Sequence, residues 1–222
     1  TALAAEKKGK EFLTALDGLS DPRLSQNIWI PGDVRREQDN LIWDGPTLFE
    51  GSQTNTSTGF QATEYSTTYD TIAYANANDQ GRIVFRFGEV LLNYAEALFE
   101  LDGTVAYEQL NLLRERAGMP EFAIIAQTAD PNRLDYGYEI SDELYEIRRE
   151  RRVELAFEVI RESDWKRWAA HALFKGKRPK GYPFAPSEHP DNEPLVDENG
   201  LLDPLQEVIP NGYNFRPDQD YL

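Results

Sequence analysis

The sequence predicts a mostly α fold in which a helical hairpin packs on one long central helix and long irregular loops cover part of the surface. Residues 141–175 form the longest run without Gly or Pro. Apolar residues recur with a helical period over 82–118, whereas 20–81 has no such period. A chain of 222 residues with 40% hydrophobic content can bury a sizeable core. We therefore expect one domain, 1–222.

The central helix is predicted over 141–175, with Ser141 as its N-cap. Between Val153 and Ile160 most residues are apolar, and a helix that is apolar on nearly every side is surrounded by protein. The polar residues fall on one stripe because they recur at spacings of three and four. This stripe consists of Arg151, Glu154, Glu158, Arg161 and Trp165. We expect an internal ion ladder in which Arg151→Ala or Glu158→Ala costs on the order of 3 kcal/mol.

Two further segments have a helical period. Residues 2–19 place their apolar side chains on one side of a helix that ends near Gly18. Residues 82–118 form a hairpin that turns at Gly103, and its first helix carries two apolar stripes. The hairpin has about 34 residues, the period of a tetratricopeptide unit. Because one such unit cannot bury both faces, we expect it to pack on the central helix or on units outside this chain.

The segment 20–81 combines scattered aromatic residues with many hydroxyl and amide side chains. An aromatic ring can pack against the C–H face of a pyranose, while polar side chains bond its hydroxyls. This composition predicts a sugar site. The stacking candidates are Trp43, Tyr65 and Tyr69, and the polar candidates are Asn55 and Asp44. For each aromatic residue the alternative stays open that it fixes the loop to the helices.

Charge and cysteine content exclude several classes of function. The formal net charge of -16 repels nucleic acid and anionic lipid, so a neutral or cationic ligand is favoured. The absence of cysteine excludes disulfides, a thiolate nucleophile and a Cys-ligated zinc site. No segment approaches the length of a membrane-spanning helix.

Two carboxylates of the central helix are candidates for catalysis. Glu154 and Glu158 resemble the carboxylate pair of a glycosidase. However, the neighbouring arginines would keep both ionised, which suits a structural network better than a general acid. His171 and His189 have no metal-ligand spacing, and the acidic loop in the irregular tail 176–222 lacks the alternation of a calcium loop. We expect no catalytic residue, no metal and no cofactor.

Several motifs resemble those of the SusD/RagB outer-membrane nutrient-binding proteins. The most specific is RRERRVELAFEVIRESDWKRW at 148–168. It is accompanied by FRFGEVLLNYAEALFELDGT at 85–104, LNLLRERAGMP at 110–120, DPRL at 21–24 and TGFQATEY at 58–65. These motifs span most of the chain in the order found in that family. Val159 stands where relatives commonly have Gly, which suggests a less close neighbour at that position.

The resemblance implies a surface lipoprotein that binds glycans without catalysis and delivers them to a TonB-dependent transporter. It implies helical hairpins as the scaffold, irregular loops as the ligand face, and the extracellular face of the outer membrane as the location. We expect this chain to be the C-terminal half of a larger protein, with the lipid anchor and part of the ligand site on the other half. The alternative is a helical scaffold that docks the transporter or binds peptides without binding glycan.

Overall fold

The computed structural model describes residues 2–48, 56–63 and 83–213. The chain divides into two compact units. Unit 1 comprises Thr1–Arg82 and Arg178–Pro210, and unit 2 comprises Ile83–Lys177 and Asn211–Leu222. The described residues are mostly helical, which confirms the predicted fold class.

Unit 2 contains the predicted hairpin. Its helices are α4, Phe87–Asp102, and α5, Tyr107–Arg116, and Gly103 ends α4 in the left-handed conformation at φ 79°. The hairpin packs on α6, Asp142–Glu154, through a shared hydrophobic core. That core comprises Leu91, Leu92, Ala95, Ala106, Leu110, Leu113, Phe122, Ile147 and Leu155. The expected packing of hairpin on central helix is confirmed, while the tetratricopeptide assignment stays a prediction.

The prediction of one continuous helix over 141–175 is wrong. Helix α6 ends at Glu154, and after an irregular connector the short helix α7 runs over Arg161–Arg167. Arginine side chains terminate α6, since Arg86 Nη2 donates to the carbonyl of Glu154 at 2.6 Å and Arg161 Nη2 to that of Arg152 at 2.7 Å. These donors satisfy carbonyl groups at the helix end, so the chain can turn there without Gly or Pro.

The predicted ion ladder exists as buried charge but not as pairs along one helix. Arg151 Nε donates to Asp164 at 2.8 Å, and Glu154 accepts from Arg86 and Arg116 at 2.7 Å each. Glu158 also forms an ion pair with Arg86, and its side chain is 23% exposed. The partners therefore come from other elements of unit 2, and Glu158 is only partly buried.

Unit 1 begins with two helices where one was predicted over 2–19. These are α1, Ala2–Glu6, and α2, Gly9–Asp17, and Gly9 at the start of α2 has φ 55°. The segment predicted without helix contains a short helix α3, Arg23–Asn27, and an antiparallel pair of strands. The strands are β1, Val34–Arg36, and β2, Leu41–Ile42.

The core of unit 1 brings the helices, the loops and the tail together. Its buried members are Ala4, Phe12, Leu13, Trp29, Trp43, Leu48, Tyr182 and Leu202. The tail within 176–213 is irregular, as predicted, with isolated bridges, and a 3-10 turn at His171–Leu173 precedes it. Two aromatic residues of the predicted ligand region, Trp29 and Trp43, thus belong to this core.

Candidate functional site

The predicted ligand loop is described in part. Trp43 is 3% exposed, and its indole N–H donates to Gln61 Oε1 at 3.2 Å. Its ring packs in the core of unit 1, the alternative that the sequence left open for each loop aromatic. Asp44, the next residue, is exposed and pairs with Lys10. The remaining candidates, Asn55, Tyr65 and Tyr69, lie outside the described residues.

The TGFQATEY segment supports this loop through its backbone. Thr58 O accepts from Tyr182 N at 2.8 Å, and Gln61 O accepts from Trp29 N at 2.9 Å. Gly59 has φ 79°, and a Cβ built there would lie 2.3 Å from the Tyr182 ring. Only glycine allows so close a packing of the loop on this buried ring. The motif therefore fixes the base of the predicted ligand region.

A groove of about 400 Å³ lies in unit 2, where sequence analysis predicted no ligand residues. It is lined by Asn93, Glu96, Ala97, Glu100, Arg148, Arg167 and Trp168. Residues 93, 96, 97 and 100 share one face of α4, because they are spaced by three, four and seven. Arg148 reaches the groove from α6, and Arg167 and Trp168 from the end of α7.

Glu96 organises the groove. Its Oε1 accepts from Trp168 Nε1 at 2.6 Å and from Arg148 Nε at 3.2 Å, and its Oε2 accepts from Arg167 Nη2 at 2.5 Å. Burial acts to raise the pKa of Glu96, but the hydrogen bond and charge of Arg167 hold this pKa below its ordinary value. The carboxylate is therefore ionised at neutral pH and is unsuited to act as a general acid.

The two arginines also fix Trp168. The Cζ atoms of Arg148 and Arg167 lie 5.0 and 4.9 Å from the centre of its ring, within cation–π range. Arg148 Nη1 donates to Tyr138 Oη at 2.9 Å, and that hydroxyl donates to the carbonyl of Trp168. The wall of the groove is thus held rigidly by buried hydrogen bonds.

This groove was not predicted from the sequence, because only the apolar residues of α4 were considered there. A signal was present, since Asn93, Glu96 and Glu100 recur at spacings of three and four on one face of the helix. The partners Arg148 and Arg167 could not be assigned without the tertiary packing of α6 and α7.

The carboxylates that resemble a glycosidase pair are bound by arginine. Glu154 and Glu158 share Arg86, and Glu154 also accepts from Arg116. This arrangement commits both carboxylates to ion pairs at the end of α6.

The histidines and the acidic tail loop have local partners. His189 stacks on Phe184 with 6.0 Å between ring centres and lies 3.3 Å from Tyr182 Oη. Asp197 accepts from the backbone N–H groups of Asn199 and Leu201 at 2.9 Å each and pairs with Lys180 at 3.3 Å. Across residues 2–48, 56–63 and 83–213, no group of three or more His, Asp or Glu side chains is arranged to hold a metal ion.

Comparison with known proteins assigns the chain to a family. The profile of the SusD family matches residues 4–214. The chain belongs to the SusD family. Members of this family bind glycans in nutrient uptake and are associated with the outer membrane. A comparison with curated proteins gave no match.

Two solved structures, selenomethionine BT4246 and BT4246, are similar to this SusD-family chain. Each has 26% sequence identity and a TM-score of 0.44 over 67% of the chain. The matched part of the present chain spans about a quarter of the length of those chains, 24% and 23%. Within the part of the chain that the structure describes, no helix is both long and apolar enough to span a membrane.

Proposed function

We propose that the chain is part of a non-catalytic glycan-binding protein of an outer-membrane uptake system. The observation that carries this proposal is the match to the SusD family over residues 4–214. In this proposal the protein lies on the extracellular face, held by a lipid anchor, and passes oligo- or polysaccharide to a TonB-dependent transporter.

The charge of the chain supports a neutral ligand over an anionic one. A net charge of -16 disfavours anionic polymers unless a local cationic surface offsets it. Neutral glycans carry hydroxyl groups that side-chain amides and carboxylates can bond without a charge partner.

We assign the ligand face of unit 1 to Asn55, Tyr65 and Tyr69 together with Asp44. Asp44 is exposed beside the buried Trp43, which fixes the backbone from which the carboxylate projects. In this assignment Trp43 supports the site from the core. The two tyrosines supply the stacking surfaces and Asn55 a hydrogen-bonding amide.

Calorimetry of the full-length protein against a panel of polysaccharides tests the proposal. We expect binding to at least one glycan and a clear loss of affinity in the double variant Tyr65→Ala, Tyr69→Ala. Tyr107→Ala provides the matched control, because Tyr107 is an exposed tyrosine of α5 in unit 2. Absence of binding to every glycan would overturn the proposal, and equal losses in both variants would overturn the assigned residues.

A second candidate function is docking of the transporter by the helical unit. It is favoured by exposed apolar residues along α4, namely Phe87, Val90 and Leu101, and by Val84 just before it. Exposed apolar stripes of this kind mark protein–protein contacts. Co-purification of a barrel partner that survives removal of residues 40–75 but is lost in Phe87→Glu, Leu101→Glu would support docking. If the barrel partner were lost after removal of residues 40–75 but kept in the Phe87→Glu, Leu101→Glu variant, docking by the helical unit would be contradicted.

A further inference from the structure

The groove of unit 2 has the size of a ligand site. Its volume of about 400 Å³ falls within the range in which small-molecule sites occur. Its lining differs from the aromatic loop region of unit 1, since charged and amide side chains on three helical segments line it together with Ala97 and the buried Trp168. It therefore needs a functional explanation of its own.

The floor of the groove is preorganised. Glu96 is buried and accepts three hydrogen bonds, from Arg148, Arg167 and Trp168. Because these side chains are already fixed, a ligand that bonds to them would not have to order them. Rigid polar floors of this kind favour a ligand of defined shape over non-specific adsorption.

The charges in the groove cancel. Glu96 and Glu100 carry two negative charges, and Arg148 and Arg167 carry two positive charges. The carboxylate of Glu100 and the guanidinium of Arg167 remain about half exposed, so both can still bond to a ligand. A balanced set of donors and acceptors is suited to a neutral ligand with several hydroxyl groups.

Asn93 adds an uncommitted donor at the same face of α4. Its Oδ1 accepts from Arg151 Nη1 at 2.7 Å, which fixes the amide. Among the described residues its Nδ2 makes no hydrogen bond, so two N–H groups are available to a ligand.

Trp168 offers no stacking surface to a ligand, because it is buried beneath both arginines. A pyranose would therefore be held in the groove through its hydroxyl groups.

We propose that this groove is a second saccharide site, which binds a neutral pyranose unit of a glycan. The proposal rests on the proposed glycan-binding function and adds a site in unit 2 to the loop site of unit 1. Asn93 and Arg167 would donate hydrogen bonds to the hydroxyl groups, and Glu100 would accept hydrogen bonds from them.

The indole N–H of Trp168 provides a direct probe, because it donates a hydrogen bond to Glu96 in the floor of the groove. Its NMR resonance can be followed while the full-length protein is titrated with neutral oligomers of glucose, mannose and xylose. The indole of Trp165, which packs against Phe174 and does not line the groove, serves as an internal reference. We expect a saturable shift of the Trp168 resonance with at least one neutral oligomer.

Ala97→Trp tests the location, because Ala97 lines the groove and is exposed, so the larger side chain fills the groove. Leu112→Trp is the control, since Leu112 is an exposed position of α5 outside the groove. We expect Ala97→Trp to weaken the affinity read from Trp168 by about tenfold or more. Leu112→Trp and the double variant Tyr65→Ala, Tyr69→Ala should leave that affinity unchanged, and melting temperatures verify that each variant is folded.

The outcomes separate the two proposals. Glycan binding detected by calorimetry with an unmoved Trp168 resonance, or with an unaffected Ala97→Trp variant, would overturn the groove site and leave the proposed function standing. A Trp168 shift only with an acidic galacturonate oligomer would overturn the neutral ligand class. Absence of both calorimetric binding and any shift would overturn both proposals.

Discussion

Unit 2 buries charged side chains within a helical core, whereas unit 1 surrounds an aromatic core with loops. The buried charged residues of unit 2 are Glu96, Glu146, Arg148, Glu150, Arg151, Glu154 and Asp164. Among the described residues of unit 1 only Arg23 and Asp203 are of this kind. The stability of unit 2 should therefore respond most strongly to the loss of ion pairs. The stability of unit 1 should respond most strongly to changes in close backbone packing.

The largest effect is expected for Arg151→Ala in unit 2. The substitution removes the 2.8 Å bond to the buried carboxylate of Asp164 and leaves that charge with longer contacts to Arg161 and Arg167. Breaking a buried pair from one side costs about 3–5 kcal/mol. Urea unfolding measures the loss of free energy.

Lys166→Ala is the control for that prediction. Lys166 pairs with Glu162 at 2.7 Å in the same unit, but both side chains are largely exposed. Exposed pairs contribute less than about 1 kcal/mol. Similar losses for the two variants would show that burial of charge does not distinguish unit 2.

The next largest effect is expected for Gly59→Ala in unit 1. The new Cβ would lie 2.3 Å from the buried Tyr182 ring, and the residue would have to keep φ 79°. Overpacking together with the left-handed backbone should cost about 2–4 kcal/mol. Thermal and urea unfolding measure the change.

Gly200→Ala separates the cost of close packing from the cost of the left-handed backbone within unit 1. Gly200 has φ 76°, but a Cβ added there would meet no atom within 4 Å, so only the backbone cost of about 1 kcal/mol applies. If Gly59→Ala cost no more than Gly200→Ala, close packing on Tyr182 would not be what holds the loop.

The two units should also differ in how their stability changes with pH. Hydrogen bonds from Arg178, together with Lys180 and against the effect of burial, lower the pKa of Asp203 to about 2. Its stabilising contribution is fully present above the unfolded carboxyl pKa of about 3.9 and disappears as the pH falls through about 2. In unit 2 burial raises the pKa of Glu146, so acidification relieves an unfavourable charge there.

Asp203→Asn should remove the acid-sensitive contribution of unit 1. We expect the stability difference between the wild type and this variant to shrink as the pH falls from about 4 to about 2. Urea unfolding at successive pH values measures it. A difference that stays constant over this range would show that the ion pairs of Asp203 do not stabilise the folded state.

The two units also differ in how much could be predicted from the sequence. The hairpin of unit 2 is predictable because the spacing of its apolar residues is a local property. The burial of Trp43 in unit 1 is not, because composition alone does not say whether a loop aromatic packs inward. The groove charges escaped prediction, since Glu96 meets Arg148 and Arg167 only after folding.

The end of α6 was mispredicted for a similar reason. The run 141–175 contains no Gly or Pro, so the sequence offered no local signal for a break. The break depends on Arg86, which is distant in sequence and donates to the carbonyl of Glu154. The connector then places two residues, Phe157 and Val159, at φ 69° and 61°. The left-handed conformation at Val159 favours glycine, so this residue should carry backbone strain.

The smallest expected effect tests this explanation. Val159 is 77% exposed, so replacing it by Gly removes little packing. A left-handed conformation costs an L-residue about 1–2 kcal/mol, while the greater unfolded-state entropy of Gly offsets about 0.5–1 kcal/mol. Val159→Gly should thus raise the free energy of unfolding by about 0.5 kcal/mol, as measured by urea unfolding.

Val208→Gly in unit 1 is the control, because Val208 is similarly exposed but has no positive φ, and it should be neutral or destabilising. Equal changes in the two variants would show that the connector of unit 2 carries no backbone strain.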